Sequence, residues 1–146
     1  MSSQIPFTVD HVGSFLRPET IKKARKKVQA GALSQVELRL IEDEEIKALV
    51  AKQKAGGLRG ITDGEFRRGF WHIDFLEGLN GVTGYIPETG YNQTFHGKAA
   101  PAYNIRVVDK ISFPTQHPFL EDFSFLKEVV EVGAVSYTHL RAHETP

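Results

Sequence analysis

One long helix, bounded at both ends by its own sequence, is what most constrains this chain. Ser34-Gln35-Val36-Glu37 is a capping box, in which a serine and a glutamate three residues on satisfy each other's backbone amides. Behind it Leu38, Ile41, Glu45 and Leu49, with Ile46 and Val50, recur at helical spacing until Gly56-Gly57 stops the run. A helix of that length with an apolar stripe must lie on something, and the flanking segments have to supply it.

Upstream, Ile5-Pro6-Phe7-Thr8-Val9 reads as a first strand that leads into the loop Asp10-His11-Val12-Gly13-Ser14. Arg17-Pro18-Glu19 then opens a helix, with proline in the first turn and an acidic residue behind it. Ile21, Ala24 and Val28 mark its apolar side, Gly31 its stop, and Lys22, Lys23, Arg25, Lys26 and Lys27 a solvated face. Downstream, Leu58 to Asp63 reads as a second strand broken at Gly64. Phe70, Trp71, Ile73, Phe75, Leu76 and Leu79 pattern as a short helix closed by Gly78, Gly81 and Gly84.

After that helix the rhythm changes from 3.6 to 2. Tyr91 to Phe95 and Tyr103 to Val108 are expected to be hairpin strands joined through Gly97 to Pro101, and Phe119, Phe123, Leu126 and Val130 mark a last helix. Strand, helix, strand, helix with an inserted β-hairpin argues an α/β chain with parallel strands. A (β/α)8 TIM barrel takes about 250 residues, so residues 1-134 would give roughly its first third to half.

Composition narrows the function classes. Eighteen Lys and Arg balance eighteen Asp and Glu, so net charge selects neither nucleic acid nor an anionic membrane as partner. No cysteine is present, which excludes a disulfide scaffold, a thiolate nucleophile and any cysteine-ligated zinc built from these residues. The N-terminal residues carry neither a basic nor an apolar targeting region, and no window is long and apolar enough for a membrane span, so the cytoplasm is the expected compartment.

Residues 135-146 stand apart. Val135 to Thr145 is similar to one reading frame through a transposase adapter used in DNA-sequencing libraries, and we set the segment aside as a non-native tail. The alternative is a genuine polar tail carrying Tyr137, His139 and His143.

Two polar clusters fall just after the expected strands: Asp10-His11-Val12-Gly13-Ser14 and Asp63-Gly64-Glu65-Phe66-Arg67-Arg68. Parallel α/β folds bind ligands at that end of the sheet. Glycine beside each polar group lets backbone approach a small ligand, a carboxylate at Glu65 can hold an ammonium, and Ser14 can meet a carboxylate. That combination suits an amino acid. The competing reading pairs Asp63 and Glu65 with Arg67 and Arg68 in a surface turn. Trp71 and Phe75, four apart, are either core or one wall of a pocket, and His117 reads as a local hydrogen-bonding residue. No glycine-rich phosphate loop and no zinc-spaced His or Cys set occurs.

Three stretches taken in order carry a resemblance: Asp10-His11-Val12-Gly13-Ser14-Phe15-Leu16-Arg17-Pro18, Glu42-Asp43-Glu44-Glu45-Ile46, and Ile61 to Arg68 running into Trp71 to Leu76. They resemble the cobalamin-independent methionine synthase family, in particular its short single-barrel bacterial members, 5-methyltetrahydropteroyltriglutamate-homocysteine S-methyltransferase homologues. The resemblance covers residues 7 to 134. It implies a TIM barrel whose Zn2+ activates homocysteine as a thiolate for methyl transfer from methyl-folate. It also implies a substrate site of Gly13, Ser14, Asp63 and Glu65, with His11 and Trp71 beside them, in which Ser14 meets the amino-acid carboxylate and Glu65 the amino group. The family's zinc ligands have no counterpart here, and His11 alone cannot form a four-ligand site, so this chain by itself is expected to be inactive. Alkyl transfer to another thiol acceptor, or a non-catalytic α/β module binding a small ligand, are the competing readings.

Overall fold

The computed structural model describes residues 11, 13-70, 72-87, 94-95, 98-99, 103-130 and 135-136. The expected first strand, Ile5 to Val9, and Trp71 lie outside them. The chain is mixed α/β and divides into two compact units, residues 1-67 with 122-146, and residues 68-121.

In the first unit α1 (Glu19–Gln29) and α2 (Gln35–Ala55) begin and end where their sequence signals lie. Ser34 Oγ accepts from the Glu37 amide at 3.2 Å while the Glu37 carboxylate accepts from Ser34 N at 2.8 Å and from Ser34 Oγ at 2.7 Å. Those bonds hold the Glu37 carboxyl below its usual value. The expected stops Gly31 and Gly57 both take positive φ. Ile21 of α1 and Ile46, Leu49 and Val50 of α2 join Ile61, Phe66, Leu126 and Val130 in one core, with Phe15 and Leu58 packed against it.

The second strand is shorter than expected: β1 is Gly60–Ile61, because Leu58 and Arg59 are still leaving α2, where Leu58 N donates to Gln53 O at 3.1 Å. It pairs in parallel with Val135–Ser136, a two-residue strand within the segment set aside as a tail. The face of five cations on α1 also needs correction. Arg25 is part-buried, its Nη2 3.0 Å from Glu42 Oε1, while Lys22 makes the exposed pair expected of a solvated face, with Glu19.

The second unit departs further from expectation. The helix is only α3 (Ile73–Glu77), because the Asp74 carboxylate accepts from the Gly69 and Phe70 amides, at 2.6 and 3.0 Å, and so caps the turn before it. Gly78 caps the helix as expected, but Gly81 and Gly84 lie in β2 (Asn80–Tyr85), antiparallel to a long β5 (Asn104–Ser112). Between them β3 (Thr94–Phe95) pairs with β4 (Lys98–Ala99), so among the described residues Thr94 and Phe95 do not pair with the expected partner strand Tyr103-Val108, while Tyr91 to Gln93 lie outside the described residues. Val82, Thr83 and Tyr85 favour a strand, and Gly84 belongs in it for a packing reason: a Cβ there would run into the Tyr103 hydroxyl. That hydroxyl donates to Glu77 Oε1 at 2.7 Å, which pushes its pKa up.

α4 (Pro118–Val130) follows as expected, and His117 before it is fully buried. Its Nδ1 accepts from the Phe119 amide at 3.1 Å, which leaves Nε2 to donate to Phe75 O at 3.0 Å. His117 is thus the local hydrogen-bonding residue that its sequence context suggests.

Candidate functional site

The site lies in the first unit, where the chain leaves β1. Buried Gln53 of α2 fixes that exit by matching both polar groups of Thr62: its Nε2 donates to Thr62 O at 2.8 Å and its Oε1 accepts from Thr62 N at 3.0 Å. Gly64 N then donates to Thr62 Oγ1 at 3.2 Å and Glu65 N to Asp63 Oδ1 at 2.9 Å, the side-chain-to-backbone bonding with which Asp and Thr build turns. Gly64 turns at φ +69°, and Glu65 follows at φ +56°. Among the described residues Glu65 is the one non-glycine with positive φ.

The residue that follows the first polar cluster meets this turn. Phe15 N donates to Gly64 O at 3.2 Å, and Phe15 Cβ packs where a side chain on Gly64 would otherwise go. The His11 ring stacks on Phe15, centroids 3.7 Å apart. Arg17 reaches across with Nη2 to Glu65 O at 3.0 Å and Nε to Phe66 O at 3.3 Å, and Arg25 adds Nη2 to Phe66 O at 2.7 Å. The segment bearing Gly13 and exposed Ser14 is therefore tied to the turn bearing Asp63 and Glu65, through their immediate neighbours. Asp63 serves the turn itself, by accepting from the Glu65 amide.

Arg67 does not make the surface pair with Asp63 or Glu65 that the competing reading requires. Its Nη2 pairs with Asp43 Oδ1 on α2, its Nε lies 3.5 Å from Asp122 Oδ1 on α4, and its guanidinium sits 4.6 Å from the Phe125 ring centroid. Asp122 Oδ1 also meets Arg39 Nη1 at 2.7 Å. Burial pushes the Asp122 carboxyl above its ordinary value, against the opposing pull of Arg67 and Arg39. This network pins the end of the turn to two helices.

A cavity of about 510 Å³ shares walls with the turn, lined by Phe15, Leu49, Leu58 and Phe66 among apolar residues and by Glu45 and Lys52 among charged ones. Among the described residues no group of three His, Cys, Asp or Glu side chains could hold a metal ion. Sequence reading missed Gln53, Arg17, Arg25 and Arg67 as builders of the site. For Arg25 a signal was present, since it lies four residues from Ile21 and next to Ala24, both buried.

These features define a mixed α/β chain that presents a polar, glycine-flanked turn where β1 ends, the usual place for a small-molecule site in such folds. No protein-family profile matches the chain. It is 50% identical over 124 residues to each of two proteins of Bacillus subtilis (strain 168) named as uncharacterized, YxjH and YxjG, covering 85% of this chain and 32% of each relative. It is 27% identical over 125 residues to the methionine synthase of Sulfurisphaera tokodaii, covering 86% of this chain and 34% of that protein. A crystal structure from Listeria monocytogenes, assigned by name as a vitamin-B12 independent methionine synthase, superposes with a TM-score of 0.72 at 49% identity, over 90% of this chain and 35% of that one. By these likenesses the chain is similar to proteins named as cobalamin-independent methionine synthases, and it spans about a third of the length of the relatives it matches.

Proposed function

We propose that this chain supplies the amino-acid end of an S-methyltransferase site that moves a methyl group from 5-methyltetrahydrofolate, as its polyglutamate, to homocysteine and gives methionine. Residues 1-134 would form the N-terminal part of a (β/α)8 barrel in the cytoplasm, and residues 135-146 an adapter-derived tail, although Val135–Ser136 pairs with β1. The observation that supports this reading is the hydrogen bond from Phe15 N, next to Ser14, to Gly64 O, next to Glu65, at 3.2 Å.

In this reading the Glu65 carboxylate accepts from the substrate ammonium and the Ser14 hydroxyl donates to its carboxylate, while Gly13 leaves room for the backbone to come close. Fixing both groups on the α-carbon leaves the homocysteine thiol projecting from the site in one orientation, which lowers the entropy cost of reaction. The residues present do not fit the zinc that the resemblance implies. The chain has no cysteine, and no metal-holding group of three occurs among the described residues. The metal is assigned to residues this sequence does not contain, and no step is routed through it.

The test is homocysteine affinity in the chain and its Glu65→Gln variant. The substitution removes a charge-assisted contact of about 1.5–3 kcal/mol, so binding should weaken by about tenfold or more while the melting temperature holds. Equal affinity would overturn the assignment. Supplied with methyl-folate, homocysteine and zinc, the 146-residue chain alone is expected to form no methionine, because it has no cysteine and, among the described residues, no group able to hold a metal ion. Turnover measured with this chain would contradict the division of the site.

A further inference from the structure

Glu65 holds a strained backbone conformation: its φ of +56° lies in the left-handed region, which disfavours a residue with a side chain. Glycine would adopt the same turn without strain, so the turn alone does not call for a glutamate. The peptide groups on either side of Glu65 are held by hydrogen bonds. Its amide is tied to Asp63 Oδ1, its carbonyl to Arg17 Nη2, and the next carbonyl, Phe66 O, to Arg17 Nε and Arg25 Nη2 together. Arg25 is in turn held by Glu42, whose side chain is 7% exposed.

We propose that Arg17 and Arg25 are positioning residues that lock the Glu65 backbone in the left-handed conformation and so aim its carboxylate at the ammonium group of an amino-acid substrate. The proposal rests on the reading of Glu65 as the ammonium partner. Its physical basis is that two guanidinium groups on consecutive carbonyls orient two successive peptide planes, while the Asp63 bond orients the plane before them. With those planes fixed, φ and ψ of Glu65 are fixed, and the direction of its Cα–Cβ bond follows. Only a planar, forked donor can reach both carbonyls from one side chain, so lysine at position 17 would hold one and release the other.

The experiment compares two ligands, homocysteine and 4-mercaptobutanoate, which is homocysteine without its amino group. Their affinity ratio in the chain reads the ammonium contact alone, and it should favour homocysteine by about tenfold or more. In Arg17→Met the ratio should fall toward one while 4-mercaptobutanoate binds within about twofold of its original affinity. Arg25→Lys keeps a cation for Glu42 and shortens the reach to Phe66 O, so its ratio should be intermediate, and it carries the test if Arg17→Met does not fold. A merely structural role would weaken both ligands in parallel and leave the ratio unchanged, which overturns the proposal. Glu65→Gln separates the two readings. If it too keeps the original ratio, the assignment of Glu65 has failed; if it collapses the ratio while Arg17→Met and Arg25→Lys keep it, only the positioning role has failed.

Discussion

Alanine in place of Gly64 is expected to destabilise the chain by about 2–3 kcal/mol and to displace the turn that carries Glu65. Two effects add. The backbone sits at φ +69°, and a Cβ there would collide with Leu49 Cδ2 while pressing on Phe66 Cε1 at 3.1 Å and Phe15 Cβ at 3.3 Å. Leu49 and Phe66 are core residues with little room to yield. The smaller entropy of the unfolded alanine chain offsets only about 0.4–1 kcal/mol of this. Urea denaturation measures the loss directly, and a midpoint equal to that of the original chain would show that the turn is looser than its packing indicates. The same variant should lose homocysteine affinity, because Phe15 is the residue that ties the Ser14 segment to this glycine.

Removing the Arg67 cation should cost about as much or more. Its side chain is 5% exposed and faces Asp43 and Asp122, at 20% and 15% exposure, so Arg67→Met leaves two partly buried carboxylates with less compensation. Breaking a fully buried pair costs about 3–5 kcal/mol, and partial exposure of the acids reduces that to about 2–4 kcal/mol here. Asp122 gives the loss a pH signature. Its folded pKa already lies above the unfolded value because of burial, so the folded state holds that proton more tightly, and its contribution to stability is lost as pH rises through the folded pKa. Without Arg67 that pKa moves higher still, so the destabilisation should shrink at mildly acidic pH, and adding Asp122→Asn should recover part of it at neutral pH. Denaturation midpoints for the single and double variants decide this. A double variant as unstable as the sum of the two singles would remove Asp122 from the network.

What could be foreseen from sequence was what is decided locally. The capping box at Ser34 and Glu37, proline ahead of Glu19 and the apolar spacing of Phe119 to Val130 each fix a helix within a few residues, and all three helices formed as expected. Strand pairing is decided at long range, and there the reading failed. Gly78 is the helix stop it looks like, but Gly81 and Gly84 look like stops only until β5 and Tyr103 come into place beside them, and no local signal announces that partner. The candidate site divides the same way. Gly13-Ser14 and Asp63-Glu65 were visible as polar residues flanked by glycine after apolar runs. Arg17 was hidden because its partners lie 48 and 49 residues away, and the signal at Arg25, its spacing from Ile21, was outweighed because a cation among four lysines looks like solvated surface even when its long side chain turns inward.

The central claim is that two turns separated in sequence bind one amino acid, and it is tested most directly by titrating homocysteine into the 15N-labelled chain and following every backbone amide. The account predicts that the largest shifts fall together on Gly13, Ser14 and Phe15 and on Gly64, Glu65 and Phe66, along a single binding curve. Shifts confined to one of the two turns, or centred within residues 68-121, would contradict it.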